Sequence, residues 1–261
     1  MDSDAAKVDD SGWRETVKIV IHALILAFIV RMFFYQPFNI PSGSMKDTLL
    51  VGDYLFVSKL SYGYSRYSLT IPFTNIPIVP FSGRVFAAEP KRGDVVVFKL
   101  PRDTDKDFIK RILGLPGDEI LDRGGIVYVN GVAVPRVRVG EFSDAESGTV
   151  EKYKETLPSG VSYYVLVARP DGEVDNAGPF VVPPGHYFVM GDNRDNSIDS
   201  RYPPQRGGVG FVPFENLVGR AEIIFFSVID DHERERDGLS LARPWQWPLM
   251  IRWRRIFSLV R

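Results

Sequence analysis

Residues 37 to 53 read Pro-Phe-Asn-Ile-Pro-Ser-Gly-Ser-Met-Lys-Asp-Thr-Leu-Leu-Val-Gly-Asp and directly follow the most hydrophobic part of the chain. Pro37 and Pro41 remove two backbone donors and favour extended geometry, so Phe38 to Ile40 is expected as an edge-type strand. Ser42-Gly43-Ser44 then turns tightly, with Gly43 free to take a positive φ or to let another backbone approach. Two readings stand at this point. One is an ordinary Ser/Gly turn; the other is a nucleophilic serine on a strained turn, with a neighbouring hydroxyl or amide facing a developing oxyanion.

Upstream, Thr16 to Tyr35 is an apolar run with Lys18 and Arg31 near its ends, where long cationic side chains snorkel to an interface. Twenty helical residues span about 30 Å, the thickness of a bilayer's hydrocarbon core. No small-x-small site follows Val30, which argues against a cleaved signal peptide and for a retained anchor, with a buried amphipathic helix as the alternative. The polar residues 1 to 15 read as disordered or loosely helical. The tryptophans stand only at 13, 245, 247 and 253, toward the two ends, as expected of rings that prefer the headgroup region. Around the last three, Arg252, Arg254, Arg255 and Arg261 are interleaved with aliphatic residues, which suits an interfacial helix on anionic lipid or a helix packed on the domain.

With 261 residues, 44% of them hydrophobic, the chain can build a sizeable core, and its net charge of −1 gives no pointer to nucleic acid. It has no cysteine, which excludes disulfides, thiolate metal sites and a cysteine nucleophile. His22 lies in the apolar run and neither His186 nor His232 sits in a catalytic string, so a Ser-His-Asp triad is poorly supported.

Between the ends, β signals dominate. Asp53 to Leu60, Asp94 to Leu100, Asp107 to Leu113, Val161 to Ala168, His186 to Met190 and Leu217 to Ile229 are β-branched or aromatic runs bounded by Gly, Pro and Asp. Ile126 to Val134 carries Asn130-Gly131, a strong hairpin signal. Residues 61 to 90 read as a long, partly apolar excursion, a hairpin near the membrane, and roughly 121 to 183 as an inserted β unit.

A base for the serine is sought in Phe108-Ile109-Lys110-Arg111-Ile112. Alternation puts Phe108, Lys110 and Ile112 on one strand face and Ile109 and Arg111 on the other. An inward Lys110 loses stability as an ammonium, and the adjacent Arg111 charge pushes the same way. Reaching a pKa near 7 from about 10.4 requires roughly 3 units, or about 4 kcal/mol, within reach of a large core. The bland reading is two surface cations on an edge strand. The third polar stretch, Gly191-Asp192-Asn193-Arg194-Asp195-Asn196-Ser197-Ile198-Asp199-Ser200-Arg201, is either a solvated turn or a rigid polar floor. In the second case Asp199 pairs with Arg201 or Arg194 and Ser197 orients an amine.

Taken in order, Ser42-Gly43-Ser44-Met45 after an anchor, Gly93-Asp94-Val95-Val96-Val97-Phe98, Lys110-Arg111 through Gly114-Leu115-Pro116-Gly117-Asp118, and the 191–201 stretch resemble the bacterial type I signal peptidases. The resemblance covers roughly residues 17 to 229. It implies a mainly β fold: an N-terminal transmembrane helix followed by an antiparallel catalytic domain of the signal peptidase/LexA type with an inserted β subdomain. It implies Ser44 as nucleophile, Lys110 as general base, Ser42 as oxyanion-hole hydroxyl beside the Ser44 amide, Ser197 as the serine orienting the lysine, and Asp199, Arg201 and Gly191 as support. By the same similarity Phe38, Ile40, Pro41, Met45, Leu49, Phe108 and Ile109 line shallow pockets for small side chains before the cut. The expected partners are preproteins bearing N-terminal signal peptides and membrane lipid, with no cofactor, metal or nucleic acid. The expected place is the bacterial inner membrane, single-pass, with the catalytic domain outside. The expected division is a polar tail (1–15), an anchor (16–36), a catalytic core (37–120 and 184–229), an inserted subdomain (121–183) and a basic, Trp-rich interfacial tail (230–261). Asp47 departs from the pattern, which usually has proline there; it is expected to face solvent. A self-cleaving repressor with the same dyad and a non-catalytic membrane-tethered β domain are the competing readings; the first would need a helix-turn-helix, which the sequence lacks.

Overall fold

The computed structural model describes residues 10–261 except 72–73, 75, 79–80, 145–147, 169–171 and 173. Residues 1–9 and parts of the excursion and of the inserted unit thus lie outside the described residues. In chain order the regular elements are α1 (Asp10–Phe33), β1 (Tyr35–Asn39), β2 (Asp53–Ser58), β3 (Val95–Leu100), β4 (Asp103–Gly114), β5 (Glu119–Arg123), β6 (Ile126–Val129), β7 (Val132–Ala133) and β8 (Arg136–Asp144). They continue with β9 (Gly148–Thr156), β10 (Ser162–Val167), β11 (Asn176–Val181), β12 (His186–Met190), β13 (Val212–Pro213), β14 (Leu217–Ser227), α2 (Asp231–Arg236) and β15 (Ser258–Leu259). The fold is mainly β and antiparallel.

One large sheet runs β1-β2-β14-β3-β4-β12-β13, with β15 also on β14. Its central strand explains its own composition: Val95 and Val97 enter one core cluster with Met45, Leu49 and Leu55, while Val96, Phe98 and Leu100 enter another with Ile112 and Val189. A strand covered on both faces has no need of alternation, and Val-Val-Val-Phe shows none. A three-stranded sheet (β10-β9-β8) and a four-stranded sheet (β11-β5-β6-β7) supply a third cluster, which reaches Leu113, Phe188 and Met190 of the large sheet. The β6–β7 turn has Asn130 at φ 52° and Gly131 at φ 77°, the two positive values a tight hairpin turn demands.

Helix α1 starts within the polar stretch and ends earlier than the apolar run, because Tyr35 already pairs with Ser58 in the sheet. Nothing in the described structure buries it: its apolar side chains from Ile19 to Val30 are exposed. Within the excursion, Tyr64 and Val85 exchange both backbone bonds at 2.8 Å, and Arg84 ties it down by donating to the Gly63 (2.7 Å) and Phe214 (2.9 Å) carbonyls. The tail differs from the expected interfacial helix. Pro244 and Pro248 interrupt an α-helical pattern, so Pro244–Met250 and Trp253–Arg255 form 3-10 turns. Two of the four arginines after Met250 are engaged by the domain: Arg255 pairs with buried Asp53 at 2.5 Å, and Arg252 donates to the Val51 (2.9 Å) and Val228 (2.8 Å) carbonyls.

Candidate active site

β1 ends at Asn39, and the next residue, Ile40, is fixed by exchanging backbone bonds with Asp53 (2.9 Å) and Gly52 (3.0 Å). The chain then closes into a 3-10 turn, Gly43–Met45, with Ser42 extended before it (φ −129°, ψ 151°). Of the two uses open to it, Gly43 does not take the positive φ; it serves the turn in a 3-10 helical conformation. Met45 and Leu49 point backward into the core, both fully buried, and hold the turn against β2 and β3.

This turn presents Ser44 to β4. The Lys110 Nζ donates to Ser44 Oγ at 2.6 Å, and a second bond runs to the Ile109 carbonyl at 3.0 Å. Both side chains are nearly inaccessible, Ser44 at 8% and Lys110 at 3% exposure. The Lys110 amine also lies 5.6 Å from the Phe108 ring centre, on the face that alternation assigned to it. Burial lowers its pKa to about 8, against the pull of Asp199 and Asp192 in the opposite direction and with help from the Arg201 charge. The expected contribution of Arg111 is corrected. Its guanidinium is clasped by Asp192 (2.8 and 2.7 Å) and lies 4.1 Å above the Tyr163 ring, so its charge is spent locally.

The 191–201 loop forms the floor. Asn193 holds the serine turn directly, with its backbone N–H on the Ser44 carbonyl and its side-chain amide on the Gly43 carbonyl, both 3.1 Å. Asp199 receives two bonds from the Arg201 guanidinium, each 2.9 Å, one from the Arg201 backbone N–H at 3.2 Å and one from the Gly191 N–H at 3.1 Å. Burial alone would raise the Asp199 carboxyl, but Arg201 holds it below its ordinary value. Arg194 turns away from Asp199 and pairs instead with Glu155 of β9, at 2.8 and 2.5 Å. Gly191 has a steric reason: a Cβ there would lie 2.3 Å from Ser197 Oγ and 2.5 Å from the Ser44 carbonyl oxygen. Ser197 Oγ is buried, and the Lys110 amine bonds the Ser44 hydroxyl and the Ile109 carbonyl but not Ser197, so the bond implied by the resemblance is not formed here.

A cleft of about 690 Å³ opens on the pair. Phe38, Ile40, Pro41, Phe108 and Ile109 line it, as do Ser42, Ser44, Lys110 and Ser197. Met45 and Leu49 do not, which corrects their expected place in the pocket; the 3-10 turn aims them inward. The sequence reading missed Val97, Ile198 and Tyr202 on the cleft wall and Asn193 under the serine. Ile198 and Asn193 sit inside the 191–201 stretch and Val97 inside the Gly93–Phe98 motif, so a residue-by-residue search of both would have raised them; Tyr202 carried no local signal.

A serine facing a buried amine at the mouth of an apolar cleft suits a hydrolase that works through a serine hydroxyl. Comparisons with known proteins narrow the class. The family described as Signal peptidase, peptidase S26, matches residues 13–226. Signal peptidase I of Rickettsia typhi is 42% identical over 87% of this chain and 85% of its own length. That of Rickettsia canadensis is 45% identical over 77% and 76%. A solved signal peptidase I from Enterococcus faecalis is 26% identical, covering 51% of this chain and 97% of that one, with a TM-score of 0.30. The chain belongs to the signal peptidase S26 family and is a serine endopeptidase of signal peptide removal.

Proposed function

We propose that Ser44 is the nucleophile and Lys110 the general base of a membrane-bound endopeptidase that cuts preproteins after small-x-small sites. The observation carrying this is the 2.6 Å contact between the Lys110 amine and the Ser44 hydroxyl in a buried site. Neutral Lys110 takes the Ser44 proton as Oγ attacks the scissile carbonyl. The resulting oxyanion is met by the Ser42 hydroxyl and the Ser44 N–H. Collapse breaks the C–N bond, the leaving amine takes the proton back from Lys110, and an acyl-Ser44 ester remains. Water then attacks that ester, giving its proton to Lys110, and Ser44 leaves reprotonated. Asp199 and Arg201 hold the floor, Gly191 lets it approach, and Ser197 packs against the turn. No step calls for a cofactor or metal.

The substrate docks extended beside Phe38 to Pro41, adding a strand so that alternate side chains enter the pockets. Phe38, Ile40, Pro41, Phe108 and Ile109 leave those pockets shallow and apolar, which favours small residues at the first and third positions before the cut. α1 is long and apolar enough to cross a membrane and is read as a single-pass anchor of the bacterial inner membrane, with the catalytic β core outside. Ser44 follows Tyr35 by nine residues, a reach of at most about 30 Å, so the site stays close to the bilayer where an anchored preprotein presents its cleavage site. The tail offers Trp245, Trp247, Trp253 and Phe257, all exposed, to the headgroup region. The test is cleavage of a preprotein carrying an A-x-A site by the full chain in detergent, with the product's new N-terminus sequenced. Cleavage elsewhere, or cleavage that survives Ser44→Ala, would overturn the assignment.

A further inference from the structure

A helix leaves its last carbonyls without intrahelical partners, and those of α1 are met by the domain that follows it. Lys59 Nζ donates to the Met32 carbonyl at 3.2 Å, and the Lys59 backbone N–H donates to the Phe34 carbonyl at 2.9 Å. Between them, the Tyr64 hydroxyl donates to the Phe33 carbonyl at 2.7 Å, and the Phe33 and Tyr64 rings meet edge to face at 6.3 Å. Three successive carbonyls are thus held from two directions. Lys59 is 1% exposed although it forms no ion pair among the described residues, so its cationic end is directed at the negative end of the helix rather than at a carboxylate.

Both donors are rooted. Lys59 follows Ser58, which pairs with Tyr35 on one side and Arg220 on the other, deep in the large sheet. Tyr64 is fixed by its two backbone bonds to Val85, next to the Arg84 clip. Nor is there a linker to absorb motion: α1 ends at Phe33 and β1 begins at Tyr35. A swivelling helix would need to break these bonds together.

We infer that Lys59 and Tyr64 lock the end of α1 to the catalytic domain, so that helix and domain move as one body and Ser44 is held at one height above the bilayer. The inference rests on the reading of α1 as a membrane anchor and deepens it. Lys59 and Tyr64 are then positioning residues for substrates anchored in the same membrane, and are indifferent to free peptides, which can approach from any direction.

The test uses the full chain with Lys59→Met, Tyr64→Phe and both together. Cleavage of a soluble small-residue peptide in detergent should stay within about twofold of wild type, while cleavage of a membrane-anchored preprotein in vesicles should fall by about tenfold in the double variant. The chain has no cysteine, so spin labels at Leu24→Cys and Val137→Cys, both exposed sites, report the helix-to-domain distance cleanly. That distribution should be narrow in wild type and broad in the double variant. Equal losses on the two substrates would indicate a merely structural role, and an unchanged distribution would overturn the clamp. A wild-type protein that cleaves nothing would count against the proposed function, and the distance measurement would still decide on the clamp.

Discussion

Asp47 Oδ2 lies 2.7 Å from Lys152 Nζ, tying the residue three positions past Ser44 to β9 of the three-stranded sheet. Both side chains are about four-fifths covered, and the Lys152 amine also sits 4.3 Å over the Tyr164 ring. The expected solvent-facing Asp47 is therefore corrected. Its surroundings explain why: strand β9 runs past the serine turn and brings a cation to it. Where proline would stiffen the turn from within, an ion pair to β9 steadies it from outside. Asp47→Asn and Lys152→Met should each lower stability by about 0.5 kcal/mol, and the double variant by no more than either alone. Asp47→Pro should lose the pair while restricting the unfolded chain, and so change stability little. Urea unfolding of the four variants measures this; additive losses would mean that the two residues do not act on each other.

Ser44→Ala should abolish cleavage with the fold intact, since the hydroxyl gives one hydrogen bond and little packing. Ser42 is exposed at the cleft, and Ser42→Ala should retain partial activity, about 10²–10³-fold down, as for loss of one oxyanion donor. Single-turnover cleavage of a preprotein separates the two. Equal losses, or none at Ser44, would exchange their roles.

Much of the site was legible because it is punctuated. Pro37, Pro41 and Gly43 announce an extended segment and a turn, Asn130-Gly131 announces a hairpin, and Lys110 is conspicuous as a cation within an apolar strand. What escaped depends on pairs far apart in sequence. Arg194–Glu155, Arg255–Asp53 and Asp47–Lys152 join segments whose approach no local pattern reports. Met45 and Leu49 were placed in the cleft by similarity alone, whereas the 3-10 turn and the chain just after it bury both in the core behind the serine. The tail was read as helical from its composition, although Pro244 and Pro248 stand within it.

The tail's docking changes how its lipid contact is to be tested. Deleting it would uncover Asp53 and remove β15 from β14, so a loss of binding would be ambiguous. In the Trp13→Phe protein, all remaining tryptophans lie in the tail. Brominated lipids in anionic vesicles should quench their fluorescence, and Trp245→Ala with Trp253→Ala should remove most of that quenching without lowering Tm. Absence of quenching would leave the tail as a domain-packing element.

Gly191 tolerates no side chain. A Cβ would meet Ser197 Oγ at 2.3 Å and Ser197 Cβ at 2.5 Å, the second of which no rotamer change relieves, and also the Ser44 carbonyl oxygen at 2.5 Å, which belongs to the backbone of the serine turn. Gly191→Ala should therefore push Ser44 away from Lys110 and cut kcat by at least about 100-fold, with a smaller effect on KM. Ser197→Ala in the same chain should fail to rescue it, because the contacts with the Cβ of residue 197 and with the Ser44 carbonyl oxygen remain. Recovery in that double variant would show that the crowding runs through the Ser197 hydroxyl alone.

The pH dependence of the reaction follows from Lys110. Its amine is brought from 10.5 to about 8 chiefly by burial, so the neutral form needed to accept the Ser44 proton grows as pH rises through that value. kcat/KM on a soluble peptide should climb with an apparent pKa near 8 and then level off. The stability linkage has a definite sign. A lysine whose folded pKa lies below its unfolded one destabilises the fold while it is charged, so the penalty is complete below about 8 and fades as pH rises toward 10.5. Lys110→Met should accordingly unfold at a higher Tm than wild type at pH 7, by up to about 3 kcal/mol in stability, with the gap closing toward pH 10. Lys110→Arg should be inactive at every accessible pH, because a guanidinium does not deprotonate in proteins. Ser197→Ala should slow the reaction without shifting the apparent pKa, since its hydroxyl makes no bond to the amine in this arrangement. A flat pH–rate profile between 6 and 10, or activity in Lys110→Arg, would mean that another group takes the serine proton.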